Sequence, residues 1–559
     1  MSALVDDEDD EGGLELSTTN TTYVDGSVGH PYWFYSIGSQ VGWNDPPGIP
    51  AYGPQSERAA LWVRPDVKSG GESVLACAPP PGYAAAVGDC DDTQADVFPG
   101  APEVCNGFDD SCDGEVDAGC PYGDLTFTSA PQPLQFYPRD LTTHTCTFTL
   151  AGETLGVAEE IQVSIVQDDL PYSETTTSGT PFALEVSIEA GLTLYDVTVS
   201  WDNGTGWWKP AATFKNVVCG DVFLIDGQSN AVAIDYHGEQ LGDLGVNTFV
   251  RSYGSAVQNG NVVADTSFGL AVAQTGYVHG SIGQWGLRLA NMVKDEQSIP
   301  ILVINGAVGG TKVAQHQRND ADPTDTSTIY GRLLWRVQAA GVADAVRGIF
   351  WHQGESDGGM AYDTYLGLWT AMYEDWLEDY PSVEAIYPFQ VRAGCGSPTW
   401  NRNVHRDLPD LLPMVKGHMS TTGVDGHDNC HFYHGTYIAW GERMARLVNR
   451  DLYGTVYSEN IEAPDPVSAK WIGPTQLKID FGATGNNLTL QPGAEAYFSL
   501  SDGVAITEAK VVGTTVVLTL AAASAASWVS FVDVPGDIPW LVNDLGIGSF
   551  AWYQLPISP

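Results

Sequence analysis

Ser229 lies in GDVFLIDGQSNA, residues 220 to 231, where an apolar run ends abruptly in Gly227-Gln228-Ser229-Asn230. Such a run reads as a buried parallel strand, and the break after it as a turn that can hold a hydroxyl open to substrate. A lone serine at a strand end is more often structural or a helix cap. Three further segments change that reading. ILVINGAVGGT at 301 to 311 ends a strand in a glycine turn, GIFWHQGESD at 348 to 357 ends one in polar residues, and DGHDNCHF at 425 to 432 precedes a helical pattern. Together they supply a hydroxyl, backbone and amide donors, and an Asp-x-x-His pair, which are the parts of a serine hydrolase. A serine hydroxyl is a weak nucleophile near neutral pH, so an imidazole must take its proton during attack and return one to the leaving alcohol.

In this order the segments resemble the SGNH hydrolases, specifically the branch of sialate O-acetylesterases and related carbohydrate acetylesterases, over roughly residues 218 to 450. The resemblance implies that Ser229 is the nucleophile, that His431 is its base, and that Asp428 fixes the imidazole tautomer and stabilises the imidazolium. A spacing of three lets both side chains come from one loop; Asp425 is the only rival for Asp428. The neighbouring His427, His434 and His352 are read as loop or supporting residues. The resemblance further assigns the oxyanion hole to the backbone N–H groups of Ser229 and Gly309 and the side-chain amide of Gln353. Gln353 stands where the commonest SGNH pattern has Asn, in the Trp-x-Gln-Gly-Glu form of the carbohydrate-esterase branch. Glu355 and Asp357 either orient the oxyanion loop, touch substrate, or are solvated or capping residues. The Gly-x-Ser-x-Gly elbow of the α/β-hydrolase fold is absent, since Asn230 and Ala231 follow the serine.

These motifs need a scaffold of alternating strands and helices. Trp285, Leu289, Met292 and Val293 follow helical spacing, as do Tyr362, Tyr365, Leu366, Trp369, Met372 and Trp376, and Tyr437, Trp440, Met444, Leu447 and Val448. These stripes are core faces. In an open doubly wound sheet the site lies outside the strand C-termini, where Ser229, Gly309 and Gln353 all fall. The expected fold is multidomain: a central α/β SGNH-hydrolase domain of flavodoxin-like three-layer form, flanking β-sandwich domains, and a small disulfide- and calcium-stabilised segment. The predicted divisions are 1–76, an acidic tail and an unassigned segment; 77–121, rich in Cys and Asp; 122–217, a β-sandwich; 218–452, the catalytic domain; and 453–559, β-rich. Cys146 to Leu150, Ile161 to Ile165, Leu194 to Trp201, Gln476 to Phe481 and Val511 to Leu520 read as strands of the flanking domains.

The 559 residues exceed one ordinary core and suggest three or four domains. Acidic residues number 70 against 24 basic ones, a formal net charge of −46. Nucleic acid is excluded as a partner, because its phosphates would be repelled. Such self-repulsion is best tolerated where salt or divalent ions screen it. No apolar run is long enough to span a membrane, and the start, MSALVDDEDDEGG, has no signal-peptide pattern.

Cys77, Cys90, Cys105, Cys112 and Cys120 fall in one stretch rich in aspartate and without Lys, Arg or His. It cannot build a hydrophobic core, so disulfides and a cation must hold it, and disulfides imply an extracellular setting. The text GDCDDTQADVFPGAPEVCNGFDDSCDGEVDAGC resembles a metal-binding repeat of extracellular bacterial proteins. From Asp109 onward, oxygen ligands occupy loop positions 1, 3, 5 and 9, including Asp113 and Asp117, with Gly114 at 6, as in an EF-hand. Position 12 is Cys120 rather than Glu, so Asp89, Asp91, Asp92 and Asn106 are the further candidates. All-oxygen ligands favour Ca2+, and without a Cys-x-x-Cys pair zinc is the weaker alternative. Cys146 and Cys219 either pair with each other or with the odd cysteine of this stretch, while Cys395 and Cys430 can bridge two site loops.

The expected activity is removal of acetyl groups from carbohydrate through an acyl-enzyme, with no cofactor for catalysis and acetylated carbohydrate or another small ester as substrate. The alternatives are a broad short-chain or polyester-active esterase with the same residues, and a calcium-dependent glycan-binding protein carrying a vestigial hydrolase domain.

Overall fold

The computed structural model describes residues 97, 99–103, 109–115, 125–154, 160–179, 181–202, 208–258, 260–396, 399–422, 424, 426–482, 488–532 and 541–559, with the backbone of short strands before residue 77. The first well-packed body is a sandwich of two antiparallel sheets. One contains Leu125–Ser129, Thr145–Thr154 and Phe182–Glu189; the other contains Glu160–Gln167, Leu170–Ser178, Tyr195–Asp202 and the first part of β1 (Lys209–Gly227). Phe182–Glu189 alternates buried and exposed residues along its whole length, as a strand with one wet face must. Ile161, Val163, Ile165, Val186, Ile188, Val197 and Val199 fill the space between the sheets. The Cys146–Cys219 disulfide, one of the two pairings left open by the sequence, joins Thr145–Thr154 to β1.

β1 does not stop at the expected domain boundary near residue 217. Its first half pairs antiparallel with Tyr195–Asp202, and its second half is the central strand of a parallel sheet. There it lies between β3 (Ile301–Asn305) and β4 (Val346–His352); β2 (Val250–Tyr253) flanks β3, while β5 (Ala385–Gln390) and β6 (Met419–Ser420) continue beyond β4. Period-two alternation divides these strands between two cores. Phe223, Ile225, Ile301 and Val303 face one side, packed on α2 (Gln284–Gln297) and α6 (His434–Tyr453), following the short turn of helix α1 (Ser229–Val232). Val222, Leu224, Leu302 and Ile304 face the other, against α3 (Ile329–Ala339), α4 (Tyr362–Asp379) and α5 (Thr399–Leu411). The aromatic stripes fall on α2, α4 and α6 as expected, with Trp285, Trp369, Trp376 and Trp440 among the largest fully buried side chains. Neither α3 nor α5 was expected from the sequence. α5 even contains Pro409.

A second β body follows, built around Leu477, Ile479, Phe498, Val516, Leu518 and Trp552. Val511 to Leu520 is not one strand, as its apolar run suggests, but parts of two. Ile506–Val512 turns at Gly513, at a φ of 63°, into its antiparallel partner Thr515–Leu520. This body docks on the α/β body through a reciprocal pair in which Gln390 donates to the Ala551 carbonyl and accepts the Ala551 N–H, each at 2.8 Å. Among the described residues no helix is long and apolar enough to cross a membrane.

Where β1 passes from sandwich to parallel sheet, Asp221 is almost wholly buried and receives two guanidiniums. Arg139 donates to it at 2.7 and 2.9 Å, Arg347 at 3.0 Å, and the Tyr453 hydroxyl at 2.6 Å. Removing one member of a buried ion pair leaves charge without compensation, at a cost of about 3–5 kcal/mol. Asp221→Ala should therefore lose about that much stability in urea unfolding. Lys215→Ala, which removes the exposed 3.8 Å pair with Asp196, should lose at most about 1 kcal/mol. Equal losses from the two variants would show that the clamp is not what joins the bodies.

Candidate active site

At the C-terminal end of β1, Gly227 has a φ of 134°, and a Cβ there would strike the backbone carbonyl of His352 at the end of β4. Only glycine fits so close a passage. The next residue, Gln228, donates its N–H to that carbonyl at 2.9 Å, and the chain then enters α1 with Ser229 as its first residue. Ser229 is 8% exposed. Its carbonyl accepts the N–H of Ala233 and the hydroxyl of Tyr236, the latter at 2.7 Å, while no described residue accepts its own N–H. Asn230 is the junction of the site. Its amide donates to Glu355 at 2.9 Å and to the Cys430 carbonyl at 3.0 Å, and its side-chain oxygen accepts from Tyr437 at 2.8 Å.

His431 sits on the loop before α6. Asp428 accepts the backbone N–H groups of Cys430 and His431 at 2.8 and 2.7 Å, so the Asp-x-x-His spacing closes a tight turn around the carboxylate. The other carboxylate oxygen stands 3.7 Å from His431 Nδ1, an ion-pair distance slightly beyond a hydrogen bond. Partial burial pushes the Asp428 carboxyl up, but those two N–H donors and the nearby imidazole outweigh it and leave the group below its ordinary value. His431 is half-buried, and this burial lowers its pKa despite the opposing charges of Asp428 and Glu355. Tyr236 links His431 to Ser229: its ring stacks on His431 at 3.9 Å between centroids, while its hydroxyl holds the Ser229 carbonyl. The Cys395–Cys430 disulfide ties the residue before His431 to the loop after β5, the pairing the sequence allowed.

The rival histidines are engaged elsewhere. His427 Nδ1 accepts the Asn429 N–H at 3.0 Å and meets Arg392 at 3.1 Å, His434 meets Gln284 at 2.6 Å, and His352 is fully buried and held neutral by burial, with its pKa pushed to about 3. Asp425 lies outside the described residues. Glu355 is buried, which raises its pKa, and accepts from Asn230; Asp357, also buried, accepts from the Val313 N–H at 2.9 Å and from Gln353 at 2.5 Å. Neither is a solvated cap.

Of the expected oxyanion donors, Gly309 stands beside the serine, since a Cβ on it would lie 3.7 Å from Ser229 Cβ. Its N–H donates to the hydroxyl of Tyr277 at 2.9 Å. Gln353 departs from the expectation. It is fully buried, and its amide donates to Asp357 at 2.5 Å and to the Thr311 carbonyl at 3.0 Å, which uses both of its hydrogens within the protein. In this arrangement Gln353 is a strut under the glycine turn rather than a donor to substrate. Tyr236, Asn230 and Tyr277 were not singled out by the sequence. The adjacency of Asn230 to Ser229 was the only signal for them, and a weak one.

Among the metal-ligand candidates, Asp109 and Asp113 fall within the described residues, while Asp89, Asp91, Asp92, Asn106 and Asp117 lie outside them. Asp109 accepts the N–H groups of Asp113 and Gly114 at 3.1 and 2.8 Å, Asp113 accepts that of Glu115 at 2.8 Å, and Gly114 has a φ of 93°. That is the sharp turn a glycine at the sixth loop position provides.

Residues 219–450 match the family model described as carbohydrate esterase, sialic acid-specific acetylesterase, and residues 89–118 match a metal-binding motif model of the copper-binding MopE type. No curated protein matches the chain significantly. Among solved structures the chain is similar to a carbohydrate acetylesterase from Xanthomonas citri at 18% identity, covering 78% of this chain and 98% of the other with a TM-score of 0.53, a likeness of fold. Looser alignments join it to a protein from Arabidopsis thaliana at 20% identity, with 42% and 99% coverage and a TM-score of 0.33. A family two carbohydrate esterase from Clostridium thermocellum aligns at 12% identity, with 60% and 99% coverage and a TM-score of 0.27. The family match spans the same residues that bring the serine, glycine turn and Asp-x-x-His loop to one sheet edge, and this segment is similar to the sialic acid-specific carbohydrate esterases, a likeness that supports carboxylic ester hydrolysis.

Proposed function

We propose that the protein is an extracellular serine esterase that removes acetyl groups from carbohydrate, with an SGNH-type site of Ser229, His431 and Asp428. The observation that carries the reading is Tyr236, which grips the Ser229 carbonyl with its hydroxyl and the His431 imidazole with its ring. His431 takes the Ser229 proton as Oγ bonds to the ester carbonyl carbon, then gives that proton to the departing sugar alcohol as the tetrahedral intermediate collapses to the acyl-enzyme. Water repeats the sequence, losing a proton to His431, and acetate leaves with the proton returned to Ser229. Asp428, held by backbone N–H groups, keeps its charge beside the imidazolium that forms in both steps.

Hydrolysis of p-nitrophenyl acetate, followed by acetate release from acetylated xylan and from O-acetyl sialic acid, tests this directly. Ser229→Ala and His431→Ala should each lose at least about 1000-fold in kcat, while His427→Ala and His434→Ala keep much of theirs. A dead His427→Ala beside an active His431→Ala overturns the assignment. Activity on p-nitrophenyl acetate without release from any sugar favours the broad short-chain esterase, and no activity in folded protein favours glycan binding alone. Because burial favours the neutral imidazole, the base sheds its proton at lower pH than usual. The acid limb of kcat/KM should therefore have its midpoint below the ordinary imidazole value of about 6.5. A midpoint above that value contradicts the burial argument.

We also propose a structural Ca2+ in the Cys- and Asp-rich segment, held by Asp109, Asp113 and Asp117 with Asp89, Asp91, Asp92 and Asn106 as further ligands. The turn at Asp109 to Glu115 supports it, and the oxygen donor set suits Ca2+ better than the copper in the name of the matched motif. Chelation should lower the melting temperature and added Ca2+ restore it. Melting that ignores both treatments argues against the site.

A further inference from the structure

The geometry points to Tyr277 as the side-chain donor of the oxyanion hole, a role that rests on the esterase reading above. An oxyanion hole needs donors aimed where negative charge develops. The residue assigned by resemblance, Gln353, has both amide hydrogens engaged below the glycine turn. Tyr277 is partly exposed and meets that turn at Gly309. Its oxygen accepts the Gly309 N–H at 2.9 Å, and it lies 3.3 Å from the point a Gly309 Cβ would occupy, a point itself 3.7 Å from Ser229 Cβ. A phenolic hydroxyl has one hydrogen to give beyond the lone pairs on which it accepts. No described residue accepts that hydrogen.

The backbone is arranged for this contact at a cost. Tyr277 has a φ of 59°, a left-handed conformation that bulky side chains rarely adopt and that persists where the surroundings impose it. Its ring packs against the core cluster to which α2 and α6 contribute. A donor chain results, from Gly309 N–H to Tyr277 O–H to the ester carbonyl oxygen, in which each hydrogen bond polarises the next. As Ser229 Oγ bonds to the carbonyl carbon, the electron pair moves onto that oxygen and is met by the Tyr277 hydroxyl and the unengaged Ser229 N–H. Tyr277 keeps its proton throughout. Tyrosine hydroxyls stabilise developing oxyanions in other enzyme classes in the same manner.

Tyr277→Phe removes one oxygen and leaves the ring to pack. For p-nitrophenyl acetate, kcat should fall roughly 100-fold with KM within about threefold of wild type, the loss typical of one oxyanion donor. A second measurement is independent of turnover: an alkyl boronic acid, whose adduct with Ser229 carries tetrahedral negative charge, should bind Tyr277→Phe at least about tenfold more weakly. If kcat and boronate affinity stay within about threefold of wild type, the proposal fails. If kcat rises, Tyr277 is instead a plug on the Gly309 N–H, and the proposal also fails. Ser229→Ala in the same assay separates the two levels. A dead Ser229→Ala with an unaffected Tyr277→Phe overturns Tyr277 alone, whereas a fully active Ser229→Ala overturns the esterase reading and this proposal with it.

Discussion

The buried carboxylate of Asp221 sets the geometry on which the rest depends. It sits where one continuous strand leaves an antiparallel sandwich and becomes the centre of a parallel sheet, and Arg139 from the sandwich and Arg347 from the start of β4 converge on it with Tyr453 at the end of α6. A charge so far from water is tolerable only when fully paired. Because the partners come from three separated parts of the chain, the pairing fixes sandwich, sheet and helix together. The strand that carries Asp221 ends at Gly227, and Ser229 follows eight residues after Asp221. Rigidity at the junction is thereby transmitted to Ser229.

Around the serine, polar side chains hydrogen-bond to one another across three loops from distant sequence positions, and this holds the loops in register. Asn230 reaches Glu355 and Cys430, Tyr437 reaches Asn230, and Trp285 donates to the Asn230 carbonyl at 2.8 Å. Gln353, Asp357 and Val313 form a similar brace under the glycine turn. Networks of this kind specify one arrangement because each unpaired member would be expensive in a low-dielectric interior. His431, Tyr236 and Tyr277 are partly exposed, and Asp428 more so.

Burial takes charge of both signs out of water, with Asp110, Asp202, Asp221, Asp226, Glu355 and Asp357 on the acidic side. Arg251, Arg332, Arg336, Arg347, Arg392 and Arg402 are buried, and Arg336 spends its guanidinium on the carbonyls of Tyr253 and Asn305. These cations serve the interior. The exterior keeps the chain's excess of carboxylates, which repel anionic polymers and one another, so salt and divalent cations bear directly on the stability of the compact state.

Much of this was legible in the sequence, and the limits have a physical cause. Strand alternation and helical stripes are local patterns, and they correctly located β1, β3, β4, α2, α4 and α6. Glycine and histidine spacing marked the turns that hold Ser229, Gly309 and His431, since a chain reversal and an Asp-x-x-His loop are decided by residues close together. The hairpin within Val511–Leu520 and the helices α3 and α5 escaped because propensity alone does not rank competing local structures. What tertiary structure alone decided is which polar groups are spent inside the protein. Gln353 and Tyr277 lie 76 positions apart, and packing turned the amide inward to Asp357 and the phenol outward to Gly309. Hydrogen-bond satisfaction is a property of the assembled interior, so residue type determined the chemistry available here, and the fold determined which groups were left free to perform it.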